Sequence, residues 1–350
     1  MSNKCLVTKL QGAVSDSSLP KLGVMKMYVK QQTITDATTQ QGIEIATNDE
    51  IEVSVNGAGY FATSVAGLEN NRLTKTTITA AQGTVTLYFG NGTYEIEITN
   101  KYSITRLYNK YGNYRSIIVG DLSEFKYLTS LNALRLAGSD TYGDISNLAN
   151  LTSLTYLSLA STSVSGDISN LANLTSLTGL SLWNTSVSGD ISNLANLTSL
   201  TYLHLNSTSV SGDISNLANL TSLTILNLYN TSVSGDISNL ANLTSLTSLY
   251  LNGTSVSGTV ESFVSGQISK GRNTVATPFD MNQVLNYATF GGTKYNEATY
   301  CYISWSSASV ITIYVGANGY ANCPRIYAKG ATQDQIAAWQ AAGKTIVQVS

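Results

Sequence analysis

Along the middle of the chain, apolar positions recur with a period of 23: Leu128, Leu151, Leu174, Leu197, Leu220 and Leu243 each open a Leu-Thr-Ser-Leu segment. In the copy at 151–173 the apolar residues are Leu151, Leu154, Leu157, Leu159, Val164, Ile168 and Leu171, separated mainly by Ser, Thr, Asn, Gly and Asp. Leu157 and Leu159 are two apart, so they share one face of a short strand, while Tyr156, Ser158 and Ala160 take the other. One such unit cannot bury its own leucines; stacked units bury a continuous column. The pattern therefore predicts six parallel strands centred on Leu134, Leu157, Leu180, Leu203, Leu226 and Leu249, about 25 Å across at ~4.8 Å per strand. Gly166 permits the turn that carries the chain round to Ile168 and Leu171.

Leu154, Leu157 and Leu159 fit L-x-x-L-x-L, and on that pattern the chain resembles leucine-rich-repeat proteins. Val164-Ser-Gly-Asp-Ile168 is similar to the L-S-G-x-I segment of the plant-type extracellular variety, with Val for Leu and no following Pro. The resemblance spans roughly residues 128–260 and implies a solenoid used for recognition.

The four central copies, 151–173, 174–196, 197–219 and 220–242, are identical at 19 of 23 positions. The first differing position reads Tyr156, Gly179, Tyr202, Ile225; the second Ser158, Ser181, His204, Asn227; the third Ala160, Trp183, Asn206, Tyr229. Spaced by two, all three belong to the sheet face opposite the leucines. The outer copies continue the rows with Ala133, Arg135 and Ala137 and with Ser248, Tyr250 and Asn252. A fourth position alternates Ser161, Asn184, Ser207, Asn230. Drift after duplication would mark every exposed position, yet Thr152, Ser153, Ser165 and Ser169 keep one identity throughout. The substituted residues also belong to the vocabulary of adaptable contact surfaces. The expected binding set is Ala133, Arg135, Tyr156, Ser158, Ser181, Trp183, Tyr202, His204, Asn206, Ile225, Asn227, Tyr229, Ser248, Tyr250 and Asn252.

Constant positions form files. Thr162, Thr185, Thr208 and Thr231, and Asn150, Asn173, Asn196, Asn219 and Asn242, are expected to satisfy backbone groups in the turns. Asp144, Asp167, Asp190, Asp213 and Asp236 supply one carboxylate per level with no second acidic ligand, which favours a structural role over Ca²⁺. No metal and no cofactor are expected.

The flanks read differently. Val24–Val29, Ile43–Ala46, Glu50–Val55, Thr84–Phe89 and Thr93–Thr99 alternate as half-buried strands, which predicts an all-β sandwich or barrel over 1–105. Residues 106–263 hold the solenoid with a capping segment at 106–127. Residues 264–350 are expected to form an α/β cap: Thr332-Gln-Asp-Gln335 is a capping box, Ile336 and Trp339 share a helix face, Gly343 ends the helix, and Thr345–Val349 closes as a strand. The predicted class is thus mixed.

Charged residues are only 11% of the chain and the net charge is −2, which argues against nucleic-acid or anionic-membrane partners. No apolar run reaches the length of a transmembrane helix, and Met1–Lys9 lacks the apolar core of a secretory signal. Cys5, Cys301 and Cys323 show no metal-ligand spacing; buried thiols are favoured over a Cys301–Cys323 disulfide. His204 is the only histidine, which removes most triads and multi-histidine metal sites. Gly343-Lys344-Thr345 follows a helix instead of opening one, and Gly57-Ala-Gly59 lies between strands, so neither marks a nucleotide site. The chain is expected not to be an enzyme.

Finally, Asn3-Lys-Cys-Leu-Val-Thr-Lys-Leu10, Leu19-Pro-Lys-Leu-Gly23 and Ile98-Thr-Asn-Lys-Tyr102 resemble the N-terminal module of virion proteins from phages of gut Bacteroidales, the crAss-like group among them. That resemblance covers about a third of the chain. It implies an anchoring N-terminal domain bound to other virion proteins, assembly as homotrimers, location in the virion, and a distal part that meets a host cell-surface glycan or protein. A bacterial surface adhesin or glycan-binding protein is the alternative, and a glycan-processing enzyme, which would need paired carboxylates in a cleft, the second.

Overall fold

The computed structural model describes residues 25–31, 42–56, 61–63, 73–89, 92–109, 118–272, 279–282, 289–293, 301–307, 309–315 and 322–349. The segments Asn3–Leu10 and Leu19–Gly23 and the stretch 57–60 lie outside them.

Each repeat is one coil of a solenoid. Its first strand has three residues and is centred where the leucine spacing predicts: Ala133–Arg135, Tyr156–Ser158, Gly179–Ser181, Tyr202–His204, Ile225–Asn227 and Ser248–Tyr250. These strands pair in parallel with leucine opposite leucine, as in Leu157↔Leu180 and Leu180↔Leu203. Leu154, Leu157, Leu159, Leu171 and their counterparts in the other coils are fully buried. Across the column the chain forms a second strand: Asp140–Asp144, Ser163–Asp167, Ser186–Asp190, Ser209–Asp213, Ser232–Asp236 and Ser255–Ser257. These also pair in parallel. The leucine pattern predicts only a turn there. Ser163-Val164-Ser165 carries a single apolar side chain, and Val164 is buried by the stack.

Side chains then brace each turn and tie coil to coil. Thr162, Thr185, Thr208 and Thr231 donate to the carbonyls of Leu159, Leu182, Leu205 and Leu228 at 2.6–2.7 Å. Thr155, Thr178, Thr201, Thr224 and Thr247 each donate to a carbonyl 23 residues back. The expected asparagine file is corrected: Asn150, Asn173, Asn196, Asn219 and Asn242 are exposed. The asparagines that bond the turn backbone are Asn147, Asn170, Asn193 and Asn216, which donate to the aspartate carbonyls.

The sheets do not stop at the repeats. Ile104–Asn109 pairs in parallel with Ala133–Arg135, Leu107 opposite Leu134, and Ile118–Asp121 pairs with Asp140–Asp144. Asp121 accepts from the Ser123 amide, as the aspartates of later coils do. Ile104–Asn109 and residues 118–127 therefore belong to a degenerate first coil, 27 residues from the next (134 − 107) in place of 23. Beyond it, Gly42–Thr47, Thr84–Phe89 and Phe61–Ala62 extend the inner sheet antiparallel. Met25–Gln31, Gly92–Ile98, Ile51–Val55 and Lys75–Ile78 extend the outer one. Among the described residues the two sheets contain 15 and 11 strands. One buried apolar cluster runs from Ile43 through the leucine column to Tyr327.

At the other end the helix Val260–Ser269 takes the place of a further outer coil. Thr259 caps it by accepting from the Ser262 amide, and Val260, Phe263, Val264 and Gln267 turn inward and are buried. The fully buried Gln267 amide donates towards the carbonyls of Leu240, Ala241 and Leu243 at 3.0–3.4 Å. Phe279–Asn282 pairs in parallel with Ser248–Tyr250, and Cys301–Ser307, Val310–Val315 and Arg325–Lys329 follow antiparallel. The helix Gln333–Ala341 carries the expected Thr332/Gln335 capping box and buries Ile336; Gly343 follows at φ 74, and Thr345–Val349 closes beside Arg325–Lys329. Cys323 is a buried thiol.

Candidate binding face

The first two variable positions line up across the inner sheet: Ala133, Tyr156, Gly179, Tyr202, Ile225 and Ser248 in one row, and Arg135, Ser158, Ser181, His204, Asn227 and Tyr250 in the next. The third, Ala160, Trp183, Asn206, Tyr229 and Asn252, continues just beyond the strands, each carbonyl accepting from an amide of the preceding coil. They share the face opposite the leucines. Their exposure is uneven, which corrects the expectation of a uniformly open row. Arg135 and Tyr229 are exposed; Tyr156, Trp183, Tyr202, His204, Asn206, Ile225, Asn227, Ser248 and Tyr250 are half-buried. Ala133, Ser158, Ala160, Ser181 and Asn252 are buried. Strands ~4.8 Å apart crowd their side chains, so long ones lean over short ones and the short ones become a floor.

Tyr156 shows how. A Cβ on Gly179 would lie 2.6 Å from the Cδ2 and Cε2 carbons of Tyr156, so the glycine is what lets that ring lie down on the neighbouring strand. On its other side is the Arg135 guanidinium, 4.0 Å from the Tyr156 centroid and 4.9 Å from that of Tyr108. Tyr108 belongs to the degenerate coil, opposite Arg135 in register. It and Arg106 are members of the face that the repeat period hides. The signal is Ile104-Thr-Arg-Leu107-Tyr, which repeats the apolar spacing of Leu131-Asn-Ala-Leu134-Arg once four extra residues (27 − 23) are allowed.

Tyr202 and His204 stack with centroids 4.0 Å apart and ring planes at 26°, and the Tyr202 hydroxyl is hydrogen-bonded to His204 Nδ1 at 2.8 Å. Burial pushes the imidazole down to about 4, so it is neutral at neutral pH. His204 Nε2, Asn206 Oδ1 and Asn252 Oδ1 are buried with no hydrogen-bond partner among the described residues. Asn227 Oδ1 accepts from the Tyr229 amide at 3.1 Å, which fixes its orientation.

The fourth variable position has a different logic. Ser161, Asn184, Ser207 and Asn230 have φ between 53 and 56, and the matching Gly138 and Gly253 of the outer coils have 68 and 71. The alternation reflects a left-handed turn that Gly and Asn tolerate best.

The aspartate file is structural in its bonding. Asp144, Asp167, Asp190, Asp213 and Asp236 each accept from the serine amide two residues on. Ser169 and Ser215, donating from backbone and hydroxyl, hold the carboxyls of Asp167 and Asp213 below the usual range. Among the described residues no three His, Cys, Asp or Glu side chains group closely enough to hold a metal ion, and no helix is long and apolar enough to cross a membrane.

Residues 112–270 match the family described as a leucine-rich repeat region. Over those residues the chain carries a leucine-rich repeat region. Among solved structures it is similar to the internalin InlF of Listeria monocytogenes, with 39% identity over 40% of this chain and 39% of that one and a TM-score of 0.36. It is also similar to internalin C2 of the same organism, with 28% identity over 45% and 75% and a TM-score of 0.35. A third is the ectodomain of the plant receptor kinase GASSHO1/SCHENGEN3 from Arabidopsis thaliana, with 28% identity over 42% and 21% and a TM-score of 0.36. The chain spans about a quarter of the plant receptors it matches. The search of curated protein sequences finds no match.

Proposed function

We propose that the protein is an appendage or fibre protein of a bacteriophage particle that attaches to a Bacteroidales host, binding a cell-surface glycan or protein through the exposed face of the inner sheet. One observation carries the attachment reading. In copies otherwise identical at 19 of 23 positions, three of the four variable positions fall on this single face, while the exposed Thr152, Ser153 and Ser169 elsewhere on the coil never change. Sequence drift has no preference for a face; selection for contact does. The N-terminal motifs Asn3–Leu10, Leu19–Gly23 and Ile98–Tyr102 support the virion part of the reading. In it, residues 1–105 anchor the chain to other virion proteins as a homotrimer, the protein assembles in the host cytoplasm until lysis, and it catalyses nothing.

The test is binding of purified full-length protein to a panel of Bacteroidales isolates. On strains that bind the wild type, replacing Trp183 and Tyr229 together with Ala should weaken binding at least tenfold, because two aromatic contacts of ~1 kcal/mol each exceed the ~1.4 kcal/mol that tenfold requires. Tyr229 is 41% exposed, so its replacement should leave melting nearly unchanged. A well-folded double variant that binds as the wild type does would move recognition off this face.

A further inference from the structure

From Tyr156 to Asn252 the variable positions of the face carry no ionised side chain; at its N-terminal end they give way to Arg106 and Arg135. Both are exposed. Arg106 stands opposite Ala133, one strand over and two residues back from Arg135 on the same face. The Arg135 guanidinium is flanked by the Tyr108 ring on one neighbouring strand and the Tyr156 ring on the other, and Tyr156 is itself seated on Gly179. Stacking occupies the planar faces of a guanidinium and leaves its N–H edge to donate. No carboxylate takes up those donors among the described residues: Glu44, opposite Tyr108 on the adjoining strand, forms no ion pair with either arginine.

Resting on the reading of this face as the docking surface, we propose that Arg135, with Arg106 beside it, is a subsite for the carboxylate of an acidic sugar, whose neutral neighbours continue along the aromatic rows. An arginine immobilised between rings, with its fork outward and unpaired, suits a planar carboxylate bound through two parallel N–H donors. The remainder of the face suits sugar better than an apolar peptide. Its variable positions offer tyrosine and tryptophan rings with serine, asparagine and histidine groups, and Ile225 is the only aliphatic side chain there larger than alanine.

The experiment measures binding of the full chain to immobilised hyaluronan, alginate and polygalacturonate, to the same polymers after carboxyl reduction, and to poly-glutamate. At least one uronate polymer should bind tenfold or more tightly than its reduced form. Arg135→Gln should abolish that preference, and Arg135→Lys, which keeps the charge without the fork, should lose most of it. Arg106→Gln, which disturbs no stacked ring, should weaken it about threefold and serves should Arg135→Gln melt early. Absence of any preference for carboxylated polymer, or a preference that survives Arg135→Gln in a folded protein, overturns the subsite. Equal binding of poly-glutamate overturns the sugar in favour of an acidic protein. If cell binding depends on Trp183 and Tyr229 but not on Arg135 or carboxyl reduction, the docking face stands and the subsite falls; if no substitution matters, both fall.

Discussion

Gly166 and Asp144 occupy one spot from two successive coils. Gly166 has φ 112, and a Cβ there would sit 2.5 Å from Asp144 Oδ1, the oxygen that caps the turn by accepting from the Ser146 amide. Gly166→Ala should therefore destabilise by about 2 kcal/mol or more, from backbone strain plus contact, and Asp144→Ala by ~1 kcal/mol through the lost cap. In urea melts the double variant should lose less than the sum, since removing the carboxylate relieves the contact; strict additivity would mean the two do not meet. His204 gives a pH signature. Its folded pKa is pushed down to about 4, below the ~6.5 of an unfolded chain, so the folded state resists the proton that the unfolded state accepts. The stabilisation of the neutral form is complete above ~6.5 and is lost progressively as the pH falls towards 4. Wild type should lose more melting temperature between pH 7 and pH 4.5 than His204→Asn does, and equal losses would remove His204 as the cause. The glycine, the aspartate file and the histidine are all visible as residues in the sequence. The meeting of Gly166 with Asp144 is not, because it reaches from one coil to the next, and neither is the burial of His204, which depends on the side chains packed around it.

Among the elements, the inner strands are legible because Leu157 and Leu159 define a face by themselves, and the helix Gln333–Ala341 because capping box and terminal glycine bracket it. The outer strands have one valine each, or Thr141 in the first, and only stacking gives them a buried side. The degenerate coil escapes a search at period 23 although Leu107 and Asp121 occupy the expected roles. The face is legible as a set of positions, but its relief is not: whether Ser158 or Tyr156 is exposed depends on which neighbour leans over it. The helix Val260–Ser269 is a gap of another kind, since its task is to terminate. The Ala241 carbonyl takes its donor from Gln267 at 3.0 Å, the Leu240 and Leu243 carbonyls accept from the Leu243 and Leu246 amides besides, and the Gln267 oxygen accepts from Arg272 Nη1 at 3.1 Å. Burial lowers the Arg272 guanidinium to about 10, a sign of how closed this end is. Gln267→Leu removes that donor and one of the partners of Arg272, which keeps the Leu246 carbonyl, and should cost about 1–3 kcal/mol in a urea melt; a change under ~0.5 kcal/mol would mean that water satisfies the Ala241 carbonyl.

On the scale of the molecule, a repeat array needs capped ends because each coil is stabilised by its neighbours. Here the N-terminal cap is the β region itself. Its strands are hydrogen-bonded into the first coil: Ile45 pairs with Leu107 in the inner sheet and Val29 with Ile118 in the outer. Composition and alternation suggest an independent unit ending near residue 105, whereas sheet continuity makes it the closing layer of the solenoid. The two views predict different behaviour for a fragment that begins at residue 104. Ile104, Leu107 and Ile118 are fully buried and would lose cover, at about 1.5–3 kcal/mol each, and two strands would become open edges prone to pairing with other chains. A loss on the order of 5 kcal/mol at 2–4 °C per kcal/mol should lower the melting temperature by ~10 °C or more, with aggregation on concentration. If the fragment stays soluble and melts where the full chain does, residues before 104 fold apart from the solenoid, and any role in anchoring a particle would not depend on the sheets they share with it.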